Sequence, residues 1–176
     1  MTRRWKAKSL SGVLAVCLCL ISGSAFAGDA PASVSGVVYR HAKVVTAKGP
    51  VEYKKDPSTN EWQPVQQGEL LYKGATIRTG KNGAADLALS GKNEGEEAAT
   101  LSLRSESEMT LDELDTEKTT GAEKTKLAMA IGKVLIKAKE LKGDSSFEVK
   151  TPTSVVGVWG TEFEVDVKKE EIKARK

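Results

Sequence analysis

The chain predicts an all-β fold: a single domain of about ten short antiparallel strands curled into a sandwich or solenoid-like roll. Three observations carry this. Apolar residues recur at every second position through most of residues 34–167. The runs are short and end at glycine, proline or Asx residues. The closing stretch from Phe147 to Phe163 alternates apolar and polar residues, breaks at Pro152, Gly157 and Gly160, and resumes as Phe163, Val165 and Val167, which is strand, bend, strand.

Residues 1–27 stand apart. Arg3, Arg4, Lys6 and Lys8 precede an apolar core centred on Val13 to Ile21, and Ala25-Phe26-Ala27 supplies small residues before Gly28. This is the pattern of a signal peptide cleaved between Ala27 and Gly28. The apolar core is too short for a retained membrane anchor. Cys17 and Cys19 both lie in this segment, after Val16 and Leu18 rather than after the small residue that lipid attachment requires. The expected mature chain therefore has no thiol, disulfide or thiolate metal site. Cleavage would remove four of the 27 basic residues and none of the 24 acidic ones, turning a charge of +3 into −1. The basic character of the full chain thus lends no support to nucleic-acid binding, which calls for a clustered basic face. The expectation is an exported, soluble protein, periplasmic or secreted, with no retained membrane span.

Residues 28–39 read as a leader followed by a first strand, Val34 to Tyr39. Lys43 to Thr46 is a second strand, and Gly49-Pro50 turns the chain into Val51-Glu52-Tyr53. Asp56 to Asn60 reads as a turn. Leu70 to Thr79 and Ala84 to Leu89 flank Gly80-Lys81-Asn82-Gly83, and the Asn82-Gly83 pair predicts a hairpin between them. Ser90 to Glu97 is a loop. Ala99, Leu101 and Leu103, then Met109 and Leu111, repeat the alternation, and the polar segment Asp112 to Lys126 reads as a long exposed connection. Lys126 to Lys142 fits two periods. Leu127, Ile131, Val134, Leu135, Ala138 and Leu141 share a helical face, whereas Leu127, Met129 and Ile131, then Val134, Ile136 and Ala138, alternate on either side of Gly132. The residues alone tilt towards helix, because a glycine there costs only about 1 kcal/mol.

No constellation of side chains points to catalysis. Gly74 to Lys81 superficially looks like a phosphate-binding loop, but five residues separate its glycines instead of four, and Asn82 occupies the Ser/Thr position. His41 is the single histidine, no G-x-S-x-G elbow presents a nucleophile, and a zinc site would need three carboxylates beside it. It is expected at a strand edge or turn with no catalytic duty. The carboxylates Glu106, Glu108, Asp112, Glu113, Asp115 and Glu117 lack the calcium-loop spacing. They read as a solvated face, as do the lysines of 124–142. Trp62 and Trp159 are each expected to fill core, with sugar stacking as the alternative. No metal or cofactor is implied.

The motifs together resemble a known family. Gly49-x-Val51, Trp62-x-Pro64-Val65, Gly68, Leu71, Gly74, Ile77, Thr79, Gly83 and Ala85 match its early strands. Leu101, Leu103, Met109 and Leu111 follow, then Gly132-Lys133-Val134-Leu135-Ile136. Phe147-x-Val149-x-Thr151-Pro152, Val156-Gly157-Val158 and Gly160-Thr161-Glu162-Phe163 close the series. This resembles the FecR-type domain over residues 40–167, with 168–176 as a charged C-terminal tail. The resemblance implies an all-β envelope module and resolves Lys126 to Ala138 as two strands broken at Gly132. Three departures stand out. Ala75 replaces a common aspartate and Trp159 the usual arginine. Lys168 to Lys176 stands where members continue with further strands, which would leave Phe163, Glu164, Val165, Asp166 and Val167 as an open strand edge, a feature sheets normally protect. The best-known members are membrane-spanning regulators with a sigma-factor-binding segment, and this sequence shows neither that segment nor a retained span. The expectation is a non-catalytic envelope protein that binds a protein partner in sensing or assembly. The alternative is a carbohydrate- or peptidoglycan-binding module whose partner is an envelope polysaccharide.

Overall fold

A computed structural model describes residues 36–168 except Glu94. The signal-peptide segment with its Ala27–Gly28 junction, the leader up to residue 35 and tail residues 169–176 lie outside the described residues. Among the described residues, thirteen strands form one curled sheet. They are β1 Val37–Tyr39, β2 Ala42–Lys48, β3 Val51–Lys54, β4 Gln63–Pro64, β5 Leu70–Leu71, β6 Thr76–Thr79 and β7 Ala84–Ser90, then β8 Glu97–Leu103, β9 Glu108–Glu117, β10 Glu123–Ala138, β11 Ser146–Lys150, β12 Val155–Val158 and β13 Thr161–Val167. The all-β expectation holds.

The sheet curls because β10 belongs to both of its halves. Residues 123–131 of β10 pair with β9, and residues 124–128 with β11; residues 134–138 pair with β8 on one side and residues 132–138 with β13 on the other. The first half runs β4-β3-β6-β9-β10 and continues through β11 to β12. The second runs β5-β2-β7-β8-β10 and ends at β13. Ile77, Met109, Leu127 and Val149 from one half meet Leu87, Leu101, Val134 and Ile136 from the other in one buried cluster. Period-two alternation places these residues on the inner face, and the shared core holds the halves together.

Gly132 makes the bend. Its φ of +94° lies in the region that favours glycine, and a Cβ there would overlap the Ser107 Cα and Oγ atoms. The Ser107 hydroxyl donates to the carbonyl of Lys133 (3.2 Å) and accepts from the Lys133 N–H (2.9 Å). The lower cost of strand over helix at 126–138 is now evident. Strand geometry lets both edges of β10 form ladders and sends Leu127, Met129, Val134 and Ile136 into the core, so tertiary pairing outweighs helix propensity. The segment is one bent 16-residue strand rather than two broken ones.

Three further expectations are corrected. Asn82-Gly83 does not close a hairpin. β6 pairs with β3 and β9, whereas β7 pairs with β2 and β8. The turn is a corner that carries the chain between halves. It is closed by the Gly83 N–H on the Gly80 carbonyl (2.9 Å) and stacked on Gly49-Pro50, with a Gly83 Cβ falling 2.5 Å from the Pro50 oxygen. Asp112 to Lys126 is not a long connection, because β9 reaches Glu117 and β10 begins at Glu123. A register shift beside Asp112 moves the inward phase from Leu111 to Leu114, and buried Thr116 and Thr125 occupy inner positions where apolar residues would have revealed the pattern. Finally, β11 runs parallel to β10, so the sheet is not wholly antiparallel.

A buried arginine ties the halves together, and a half-buried carboxylate links β2, β7 and β8 within the second half. Arg40 is 3% exposed. It donates to the carbonyls of Ser90 (3.0 Å), Lys124 (3.0 Å) and Asp115 (3.3 Å) and to the Thr125 hydroxyl (2.6 Å), linking β7 to β9 and β10. Burial pushes its pKa down, and the charges of Glu123 and Asp115 oppose that push. On β7, Asp86 accepts from the Thr46 hydroxyl (2.6 Å) and the Ser102 hydroxyl (2.7 Å), which hold its carboxyl below the ordinary carboxylate value.

Two outcomes follow from these features. Gly132→Ala should destabilise the protein by about 3 kcal/mol, combining backbone strain with overlap on Ser107; urea unfolding of both forms measures it. Tyr53, buried on β3, donates its hydroxyl to the Glu69 carboxylate, and that bond followed by burial raises its pKa to about 12. Because the folded value exceeds the unfolded value of about 10, the stabilisation is complete below pH ~10 and lost as pH rises through about 12. An ultraviolet phenolate titration should show a late step that Tyr53→Phe removes.

Candidate functional site

The candidate edge begins at Gly160, whose φ of +96° and tight seat against Glu140 (a Cβ there would lie 2.9 Å from the Glu140 Cα) steer the chain into β13. From there the alternation of Thr161 to Val167 divides the strand into two faces. Val165 is buried, with Phe163 and Val167 partly buried against the core cluster. Glu162, Glu164 and Asp166 point outward. On β10, Lys133 reaches Glu164 at 3.1 Å and Asp166 at 3.4 Å, and Lys137 reaches Glu162 at 3.1 Å. The hydrogen bond to Glu164, aided by the charges of both carboxylates, raises the Lys133 pKa. These pairs are exposed and reinforce the register more than the stability.

Among the described residues, β13 pairs with β10 alone. A cavity of about 840 Å³ lies beside it. Phe163 to Lys168 form one wall, Ile131 and Val156 contribute apolar surface, and the turn Thr151 to Ser154 completes the rim. That turn is the Thr-Pro motif of the sequence. The Thr151 N–H donates to the Ser154 carbonyl (2.8 Å), and the Thr151 side chain accepts from the Ser154 N–H (3.0 Å). β12 leaves this turn and pairs only with β11 among the described residues. The last two strands are thus both edges, one in each half of the sheet. Chemically, the arrangement can accept main-chain hydrogen bonds and apolar side chains at one place.

The other sequence candidates fall elsewhere. Gly74 to Lys81 is strand β6 with its corner turn. His41 lies between β1 and β2 with its ring 6.1 Å from that of Tyr72. A cavity of about 390 Å³ lies beside it. Ser90, the nearby hydroxyl in that cavity, is spent on the main chain: it accepts from the His41 N–H and donates to the His41 carbonyl. The carboxylates of β9 are dispersed along the strand, with Glu113 paired to Lys126 (2.8 Å) and Asp115 to Lys73 (3.2 Å). The bond from Lys126 holds the Glu113 carboxyl below its ordinary value. Among the described residues no group of three or more His, Cys, Asp or Glu could hold a metal ion.

Neither tryptophan fills the core: Trp62 is half-buried and outside the core cluster. The guanidinium of Arg78 covers the Trp62 ring at 3.8 Å, with Lys54 at 5.2 Å, and Arg78 is itself fixed by Glu52. Trp159 is 87% exposed, so the expectation that it fills core is overturned. It sits in the passage from β12 to β13, and among the described residues both neighbouring strands are edges. Sequence reasoning also missed Arg40, whose burial depends on carbonyls brought together from distant strands.

A family model described as FecR protein matches residues 75–175, more than half of the chain. The chain belongs to the FecR family. The match starts just before β6 and runs into the tail, whereas β2 and β3 contribute Val44, Val51 and Tyr53 to the same core. The family is associated with signalling at the bacterial envelope. No curated protein matches the chain, and no solved structure does. Among the described residues, no helix is long and apolar enough to cross a membrane.

Gly160→Ala should loosen β13 before it unfolds the domain. The left-handed backbone and the contact with Glu140 make it unfavourable by about 2 kcal/mol. Hydrogen exchange should show faster exchange at Phe163 to Val167 than at Leu101 or Leu127.

Proposed function

We propose that this FecR-family protein is a non-catalytic module of the bacterial envelope that captures an extended segment of another protein by strand addition along Phe163, Glu164, Val165, Asp166 and Val167. It is exported, and it takes part in envelope sensing or assembly through that capture. One observation carries the reading: β13 ends its half of the sheet and borders an apolar-lined cavity, so an incoming strand gains a ladder and a place for alternate side chains together. Two contacts support the non-catalytic part of the reading. The single histidine faces a tyrosine, and the serine beside it is engaged with the main chain.

Trp159 supports a second reading, in which its exposed indole stacks on an envelope polysaccharide. The cavity beside β13 does not support that reading, because the tryptophan does not line it.

A photoreactive residue placed at Glu164, with a control at Thr119 far along the chain, separates these readings in the native envelope. Strand capture predicts one dominant protein adduct from position 164 and none from 119. Identical adducts from both positions, or none from 164, would refute it. Retention on insoluble peptidoglycan that Trp159→Ala abolishes would instead favour the polysaccharide.

A further inference from the structure

We infer that the segment captured by β13 alternates apolar and basic residues. The inference rests on the strand-addition reading and specifies the chemistry of its partner. A strand laid beside β13 places its residues directly opposite those of β13, at a Cβ separation of roughly 5 Å. On the inner face the opposing residues are Phe163, Val165 and Val167, which border the cavity and call for apolar side chains. On the outer face they are Glu162, Glu164 and Asp166.

These three carboxylates are served from the β10 side by two lysines, and Glu164 and Asp166 share Lys133. Their side chains remain 55%, 48% and 40% exposed respectively. Each carboxylate has about four acceptor sites, so each retains capacity towards the open side of the strand. A basic residue opposite completes the pairing, whereas an acidic one sets like charges face to face. The same argument excludes a second copy joined antiparallel through β13, which would align its three carboxylates with these. The contrast with β12 is instructive. From Thr151 to Thr161 the chain has no charged residue, so that edge has no electrostatic means of choosing a partner.

The test uses nine-residue peptides with valine at alternate positions and either lysine or glutamate between them, titrated into the purified protein by calorimetry. The lysine peptide should bind about tenfold more tightly or better than the glutamate peptide, as three attractive contacts replace three repulsive ones. A variant carrying Glu162→Gln, Glu164→Gln and Asp166→Asn should bind both within about threefold, with its fold checked by circular dichroism. Equal binding of the two peptides to the unaltered protein would overturn the charge inference and leave strand addition standing. Binding of neither, to the unaltered protein or to a Lys173→Glu, Arg175→Glu variant, would overturn strand addition as well. Residues 171–176 read Glu-Ile-Lys-Ala-Arg-Lys and have the same alternation in sequence. If the lysine peptide binds only after Lys173→Glu and Arg175→Glu, the chain's own segment is the preferred occupant and the inference of a separate partner falls.

Discussion

The architecture depends on one constraint, the sharing of β10 between two halves of a sheet through a bend at Gly132. A straight strand of 16 residues would extend on the order of 50 Å and could not place Leu127 and Ile136 in one core. The bend requires a backbone conformation that non-glycine residues adopt at a cost, and it requires Ser107 to approach where a side chain would stand. Ser107 then bonds both polar groups of Lys133, so the position is held by hydrogen bonding as well as by shape. Arg40 and the Gly49–Gly83 corner restrain the halves elsewhere, but each joins strands that β10 has already brought together.

The exposed edge is a direct outcome of that arrangement. The second part of β10 has β8 on one side and β13 on the other, and its first part has β9 and β11. Both flanks of the central strand are therefore filled, and among the described residues the last two strands in the sequence are left as edges, opposite β4 and β5. Sheet edges are commonly blunted by charge. β13 follows that practice on its outer face and departs from it on its inner face, where Phe163 and Val167 stay partly open beside the cavity. A protected edge and a selective binding edge are built from the same residues, and the apolar half distinguishes them.

Much of this was legible in the sequence. Period-two alternation identified most of the longer strands, and the break at Gly160 marked the start of β13, whereas β4 and β12 were not foreseen and β5 and β6 were read as one run. The misreadings share a cause. Asn82-Gly83 has the local chemistry of a hairpin, but its neighbours find partners in opposite halves, and nothing local encodes that choice. Asp112 to Lys126 looked polar because threonines and a register shift masked the inward positions. Trp159 looked like core because large aromatics usually are, and only the position of β12 and β13 at the margins leaves it in solvent.

Alternation, turn residues and the family motif by themselves determined a pleated, two-faced domain, since side-chain direction in a strand is a local property of the backbone. Which strands lie beside each other, where the sheet curls, which carbonyls surround Arg40 and which edge is left open were decided by the tertiary structure alone. Those features depend on hydrogen bonds and contacts between residues far apart in the chain, and the pattern that makes a residue a good strand member is the same for every partner it could pair with.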